Sequence, residues 1–249
     1  MPTTDAIIDE SFDIFGDVTP EEERLLEARQ EQFRQQLETK IAQFSSNPID
    51  RTLQQNRFIF TQRQRQHHFT KPVQRAQLLS REECRSILDI CSKQEVGWTT
   101  DRHSAFATTD IPIRTAHESP LRSLEALVKE RLFPELAAYY GFKVSDLEFR
   151  DIFLVKYTAT GQRGLRLHQD GCLFSVTVLI SHEDDFEGGG TYYKSIDDIV
   201  YLKQGDCAYH DAHVMHSGVD ISKGERYVLV GFIDTLDTIE KDKIALLRS

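Results

Sequence analysis

The sequence predicts an α+β chain in which helices come first and a sandwich- or jelly-roll-like β core follows. Three observations predict it. Up to Gly141 the apolar residues recur at helical spacing behind recognisable caps. After Gly141 they fall into short runs rich in Val, Ile, Phe, Tyr and Thr, and no helical pattern separates those runs. With 249 residues, 39% of them hydrophobic, the chain can build one sizeable core. No window approaches the roughly 18 uninterrupted apolar residues of a membrane span.

Residues 1–18 read as a flexible acidic leader, with five acids and no base. The first helix is expected to open at Thr19-Pro20, with Glu22 completing a capping box. Leu26, Phe33, Leu37, Ile41 and Phe44 share one face, and the helix should stop near Ser45–Pro48. Residues 51–75 then carry six cations (Arg51, Arg57, Arg63, Arg65, Lys71, Arg75) and no acid, with Phe58, Phe60 and Phe69 between them. This basic segment closes a helical N-terminal extension, 19–75. It reads either as a solvated helical face or, more sharply, as a track for nucleic acid.

A main domain is expected over 76–236, with a C-terminal tail or short helix over 237–249. Ser80 and Glu83 form a second capping box ahead of Cys84, Ile87, Leu88 and Cys91, which share a helical face. A third helix should start at Ser119-Pro120 and present Leu121, Leu124, Leu127, Val128 and Leu132. Pro134 should interrupt it, with a further turn capped by Gly141. The runs Phe149–Tyr157, Cys172–Ser181, Gly190–Lys194, Gly205–His210 and Tyr227–Ile233 then read as strands.

The formal net charge of −10 argues against a protein that coats nucleic acid. Cys84, Cys91, Cys172 and Cys207 have neither zinc-ribbon spacing nor the density of a disulfide scaffold, so reduced core thiols are expected. The first residues resemble neither a secretory signal nor a mitochondrial presequence. The expectation is a cytoplasmic protein, or a nuclear one, with no membrane association.

Most histidines sit in the strand-rich half. A histidine and a carboxylate two apart on extended backbone point to one face, as adjacent vertices of a coordination sphere would. His168-Gln169-Asp170 and His182-Glu183-Asp184 both have this spacing, and His210, His213 and His216 follow downstream. An Fe(II) facial triad needs two imidazoles and one carboxylate, and leaves positions open for an α-keto acid and dioxygen. A dicarboxylate cosubstrate also needs a cation for its far end. Arg226 leads into the apolar strand Tyr227–Ile233, where an unpaired charge is expensive, so a buried anionic partner is expected.

Taken in order, Val155-Lys156-Tyr157, Leu167-His168-Gln169-Asp170-Gly171, the strand Phe174–Ser181, Asp185-Phe186-Glu187-Gly188-Gly189-Gly190-Thr191, Gly205-Asp206, His216-Ser217-Gly218 and Lys223-Gly224-Glu225-Arg226-Tyr227 resemble the catalytic core of Fe(II)/2-oxoglutarate-dependent dioxygenases. The branch is the prolyl 4-hydroxylase/lysyl hydroxylase-like one, and Leu79–Cys84 resembles the helix that precedes this core. The resemblance covers about 160 residues. It implies a double-stranded β-helix (jelly roll) core buttressed by N-terminal helices. His168, Asp170 and His216 would be the iron ligands. Arg226 would hold the far carboxylate of 2-oxoglutarate, and Tyr157 would face the cosubstrate pocket. His182 falls on a family loop, whereas His216 has the family spacing to the arginine, leaving His210 near the pocket mouth.

Implied too are Fe(II) as cofactor, 2-oxoglutarate and O2 as cosubstrates, and ascorbate as an accessory. The implied reaction is hydroxylation of an unactivated C–H bond on a prolyl or lysyl-type side chain or a related amino-acid-like substrate, with succinate and CO2 as co-products. Collagen prolyl hydroxylases usually place lysine where Arg226 stands, and the start of this chain lacks their signal, so collagen is disfavoured as substrate. Ser175 or Thr177 could supply the hydroxyl that a tyrosine gives in some relatives. Residues 98–103 and 108–112 are expected at the pocket edge. Two other readings remain: a non-catalytic jelly-roll metal or ligand-binding module, and a nucleic-acid-directed oxygenase using 51–75.

Overall fold

The computed structural model describes residues 19–92, 97–102, 106–116 and 119–247. The expected acidic leader, His103 and His117 lie outside the described residues. The chain divides into two compact units, the first ending at Ser46 and the second beginning at Asn47.

The first unit holds α1, Pro20–Ala42, opened by the expected capping box. The Thr19 N–H donates to the Glu22 carboxylate at 2.9 Å, and the Glu22 N–H donates back to Thr19 Oγ1 at 3.3 Å. Such a cap is worth about 1 kcal/mol. None of the residues of α1 is buried.

The second unit opens with α2, Leu53–Arg65, so the basic segment belongs with the β core and not with α1. Its cap is a third box, Thr52 with Gln55, beyond the two expected from the sequence. Phe60 stacks on Phe69 at 5.2 Å and meets Tyr140 and Phe174 edge-on. Two of the three interleaved aromatics are therefore core residues and offer no stacking surface to bases. Arg57 pairs with Asp237, Arg75 pairs with Glu135 at 3.2 Å, and Arg51 is buried. Much of the local positive charge is thus consumed within the fold.

The chain continues through β1 (Val73–Arg75), α3 (Arg81–Cys91), β2 (Asp110–Pro112) and α4 (Ser119–Tyr140). Pro134 does not interrupt α4. Proline removes one backbone bond, yet Leu132, Phe133, Leu136, Ala137 and Tyr140 are all buried on either side of it and hold both halves in line. Gly141 ends the helix at φ +82°, and the Phe142 N–H returns to the Ala137 carbonyl at 2.8 Å.

The remaining elements are β3 (Leu147–Thr158), β4 (Leu165–His168), β5 (Phe174–Leu179), β6 (Phe186–Gly188), β7 (Thr191–Tyr193), β8 (Asp198–Val200), β9 (Cys207–Asp211), β10 (His216–Gly218), β11 (Ile221–Thr235) and α5 (Leu236–Leu246). All five expected runs fall on strands. The larger sheet runs β1-β9-β5-β11-β3-β2, with β6 paired to β11, and the smaller runs β4-β10-β7-β8. All pairings are antiparallel. Alternation along β3 and β11 divides their side chains between two clusters. Ile152, Leu154, Tyr227 and Leu229 join the core with α3 and α4, while Phe153, Val155, Tyr157 and Val228 form a second cluster on the opposite face. Both faces are covered in the middle of these strands, which is why Ile152–Val155 and Tyr227–Ile233 read as nearly unbroken apolar runs.

One turn has no steric slack. Gly205 sits at φ +84°, and a Cβ there would lie 2.1 Å from the Leu79 carbonyl oxygen, while the Leu79 N–H donates to Gly205 O at 3.0 Å. Gly205→Ala should cost about 2–3 kcal/mol in urea denaturation. Gly97→Ala, at φ +74° with open space around it, isolates the strain and should cost about 1 kcal/mol. Equal losses at the two sites would refute the clash.

Candidate metal centre and adjoining cavity

The two strands that carry the site are short and polar. His168 ends β4 and His216 begins β10, and the two are direct cross-strand partners. Directly opposed residues on an antiparallel pair share a face, and the imidazole centroids are 4.3 Å apart. Asp170 lies two residues beyond His168, where its N–H donates to the Ala212 carbonyl at 3.2 Å. One ligand atom from each of His168, Asp170 and His216 fits within 4.8 Å of the others.

The hydrogen bonds around the triad set its chemistry. His168 Nδ1 lies 2.8 Å from the Arg166 carbonyl, and His216 Nδ1 lies 3.0 Å from the Val214 carbonyl. A carbonyl only accepts, so each Nδ1 carries a proton, and Nε2 is the nitrogen left to bind a metal once it is deprotonated. Both Nε2 atoms point at Asp170, at 3.3 and 3.5 Å. Burial alone would raise the Asp170 carboxyl, but His168, then His216 and Ser175, outweigh it and hold it at about 2. Burial presses His216 down towards the neutral form. At His168 burial also acts downward, but the Asp170 contact and the Arg166 carbonyl together draw the imidazole up. Two neutral-capable imidazoles and one ionised carboxylate, with second nitrogens anchored to backbone, fit a divalent iron.

Ser175 donates its hydroxyl to Asp170 Oδ2. Of the two hydroxyls considered from the sequence, it is therefore the one committed to the carboxylate, and Thr177 is left on the cavity wall. Ser175→Ala should lower metal affinity by roughly 10–100-fold, as loss of an outer hydrogen bond to a ligand commonly does. Isothermal titration with Fe(II) under nitrogen checks this, and an unchanged affinity would remove Ser175 from the account.

Beside the triad lies a cavity of about 340 Å³. Arg226 and Tyr157 face each other across β11 and β3, with the guanidinium carbon 5.6 Å from the phenol ring. Arg226 is 4% exposed, and among the described residues no carboxylate pairs with it. Burial lowers its pKa, with Tyr157 and Tyr193 acting in the opposite sense; arginine remains charged regardless. Burial raises the Tyr157 phenol against the pull of Arg226, so that hydroxyl stays protonated. The described residues supply no anion for Arg226, and the residue lines the cavity, from which a bound anion could reach it.

The rest of the wall includes residues the sequence reading did not single out. Thr191 lines it, and the Phe106 ring lies 4.7 Å from that of His168. Phe153, Val230 and Phe232 make it apolar. From the expected pocket-edge stretches, Arg102 and Thr108 line the cavity. Arg102 is bound to Asp110 and Asp151, while Trp98 packs on Tyr227 at 5.7 Å. His210 does not reach the mouth. It is 1% exposed, packed behind His216 at 4.5 Å, and held at about 3 by burial and by that neighbouring imidazole. His182 caps a partly exposed turn, as expected of a loop.

No family model matches the chain. Among curated proteins it is 33% identical over 86 residues to human procollagen-lysine,2-oxoglutarate 5-dioxygenase 2, across 33% of this chain and 12% of that protein. It is 30% identical over 113 residues to mouse procollagen-lysine,2-oxoglutarate 5-dioxygenase 1, across 44% of this chain and 15% of that protein. The chain thus matches only about an eighth to a seventh of the length of these relatives. Among solved structures, a Pseudomonas putida prolyl-4-hydroxylase superposes with a TM-score of 0.51 at 15% identity, covering 71% of this chain and 98% of that one. A Burkholderia pseudomallei oxidoreductase of the 2OG-Fe(II) oxygenase family gives 0.51 at 14% identity, covering 77% and 93%. The chain has the jelly-roll fold of the 2OG-Fe(II) oxygenases, and its sequence is similar in part to lysyl hydroxylases.

Proposed function

We propose that the protein is an Fe(II)- and 2-oxoglutarate-dependent dioxygenase that hydroxylates a prolyl or lysyl-type side chain or a related amino-acid-like substrate. The observation that carries the reading is a buried arginine, paired with no carboxylate among the described residues, on the same cavity as a His–Asp–His donor set. A charge so placed is expensive unless a ligand anion meets it, and a dicarboxylate chelating the metal brings one.

His168, Asp170 and His216 would hold Fe(II), which when bound supplies oxygen activation coupled to decarboxylation of 2-oxoglutarate. Arg226 receives the far carboxylate through its guanidinium fork, with Tyr157 beside it. Ser175 keeps Asp170 oriented. Phe106, Phe153, Val230 and Phe232 exclude water and offer an apolar wall to the aliphatic part of a substrate. Ascorbate would serve as accessory reductant. A reducing, cytoplasmic setting is favoured by four free cysteines, three of them buried, and among the described residues no helix is long and apolar enough to cross a membrane.

The substrate is accessible to mass spectrometry. Cells carrying the wild-type chain should contain a peptide or amino-acid-like product with one added oxygen atom that is missing with His168→Ala. If no oxygenated species distinguishes the two, and purified protein forms no succinate from 2-oxoglutarate in air, the fold is serving as a binding module.

A further inference from the structure

A second cavity, of about 540 Å³, is walled in part by Asp211, His213, Val214 and Met215, in the segment that leads into His216. Its size is that of a small-molecule site. Phe69 and Val214 form a buried apolar floor. Asp211 also lies there at 2% exposure, with its carboxylate occupied: Gln64 Nε2 donates at 2.6 Å, the His213 N–H at 2.9 Å, and His213 Nδ1 lies at 3.1 Å. The exposed rim is basic. Arg65 and Lys194 both line it, and neither forms an ion pair among the described residues. Two other cations of the same segment, Arg57 and Arg75, are spent in ion pairs, whereas Arg65 at the end of α2 lines this concave surface.

The wall of this cavity also supports the metal centre. Val214 O accepts from His216 Nδ1 at 3.0 Å, and Ala212 O accepts from the Asp170 N–H at 3.2 Å. His213 O accepts from Gln169, and Met215 O accepts from the Lys194 N–H at 3.0 Å. Displacing 211–215 therefore moves the groups that aim two of the three ligands.

We propose that this second cavity binds a small organic anion, an apolar body bearing one carboxylate or phosphate, and that its occupancy changes the metal affinity of the centre. The apolar body rests on Phe69 and Val214 while the anionic group meets Arg65 and Lys194. The binding stands on this cavity alone. The coupling rests on the reading of His168, Asp170 and His216 as ligands.

Calorimetric titration of the full chain with benzoate, phenyl phosphate and neutral benzamide tests the binding. An anion site is expected that persists in Arg226→Ala, which removes the cation of the first cavity, and is at least tenfold weaker in Arg65→Ala/Lys194→Ala, both positions being exposed. Benzamide should bind at least tenfold more weakly than the better anion, and the order of the two anions tells a carboxylate site from a phosphate site. No binding of either anion, loss in Arg226→Ala, or equal binding in the double variant overturns the site. Anaerobic Fe(II) titration with and without the better anion tests the coupling, with at least a threefold shift expected in the wild type and none in the double variant. An unshifted Fe(II) affinity overturns the coupling alone. Failure of Fe(II) to bind at all, with anion binding intact, overturns the metal reading together with the coupling.

Discussion

His168→Ala and His216→Ala are each expected to abolish tight Fe(II) binding, with a loss well beyond the roughly 10–100-fold expected from an outer-shell change such as Ser175→Ala. Each imidazole turns its Nε2 to the side on which Asp170 lies, where the two could share a metal, because its Nδ1 is anchored to a backbone carbonyl. Deleting one leaves a bidentate His–Asp site that a hydrated divalent ion holds poorly. Succinate formation should fall to background in both variants. His210→Ala makes the control: His210 contacts His216 but is not a member of the triad, so it should retain Fe(II) binding with at most an outer-shell loss. If His168→Ala and His216→Ala bind Fe(II) as the wild type does, with folding verified by circular dichroism, the triad is not the metal site.

Arg226→Met is expected to move stability and binding in opposite directions. In the ligand-free protein it removes a buried charge that no described carboxylate offsets, and a flexible apolar side chain of similar length fills much of the space. Stability should rise, on the order of 1–4 kcal/mol if the cavity closes over the methionine. Binding of 2-oxoglutarate to the Fe(II)-loaded chain should fall by a hundredfold or more, since the charge-assisted fork to the far carboxylate is gone. The wild type should gain about 2.7 kcal/mol when 2-oxoglutarate is present at a hundred times its Kd, and the variant should gain almost nothing at that concentration. Urea denaturation in the presence and absence of 2-oxoglutarate reads both effects. A variant less stable than the wild type but still stabilised by 2-oxoglutarate would show that Arg226 is a structural residue.

Much of this was legible in the residues, and what was not has physical reasons. The strands β3, β5 and β11 announce themselves because both faces are covered over Ile152–Val155, Phe174–Leu179 and Tyr227–Ile233, and most positions in those stretches are apolar. The strands β4 and β10, which carry the two histidines, are four and three residues long and have little apolar pattern, so their pairing could not be seen although the candidate ligands could be named. Arg226 was marked out by its place at the head of a core strand, where a charge needs a buried anionic partner, but the sequence could not show that no described carboxylate supplies it and that the guanidinium faces a cavity. The continuity of α4 through Pro134 depends on the packing of Leu132, Phe133 and Leu136, which outweighs one lost hydrogen bond. The role of Ser175 depends on a side-chain contact with a residue five positions earlier, across a turn. The second cavity joins α2 to the segment before His216, residues far apart in the chain, and no periodicity brings them together.

The most direct test of the account is anaerobic addition of 2-oxoglutarate to the Fe(II)-loaded full chain, followed in the visible spectrum. Chelation beside two imidazoles and a carboxylate should produce a metal-to-ligand charge-transfer band that saturates at one 2-oxoglutarate per chain, is missing in His216→Ala, and is absent in Arg226→Met at the same concentration. A folded wild-type chain that binds Fe(II) yet develops no band would contradict the account.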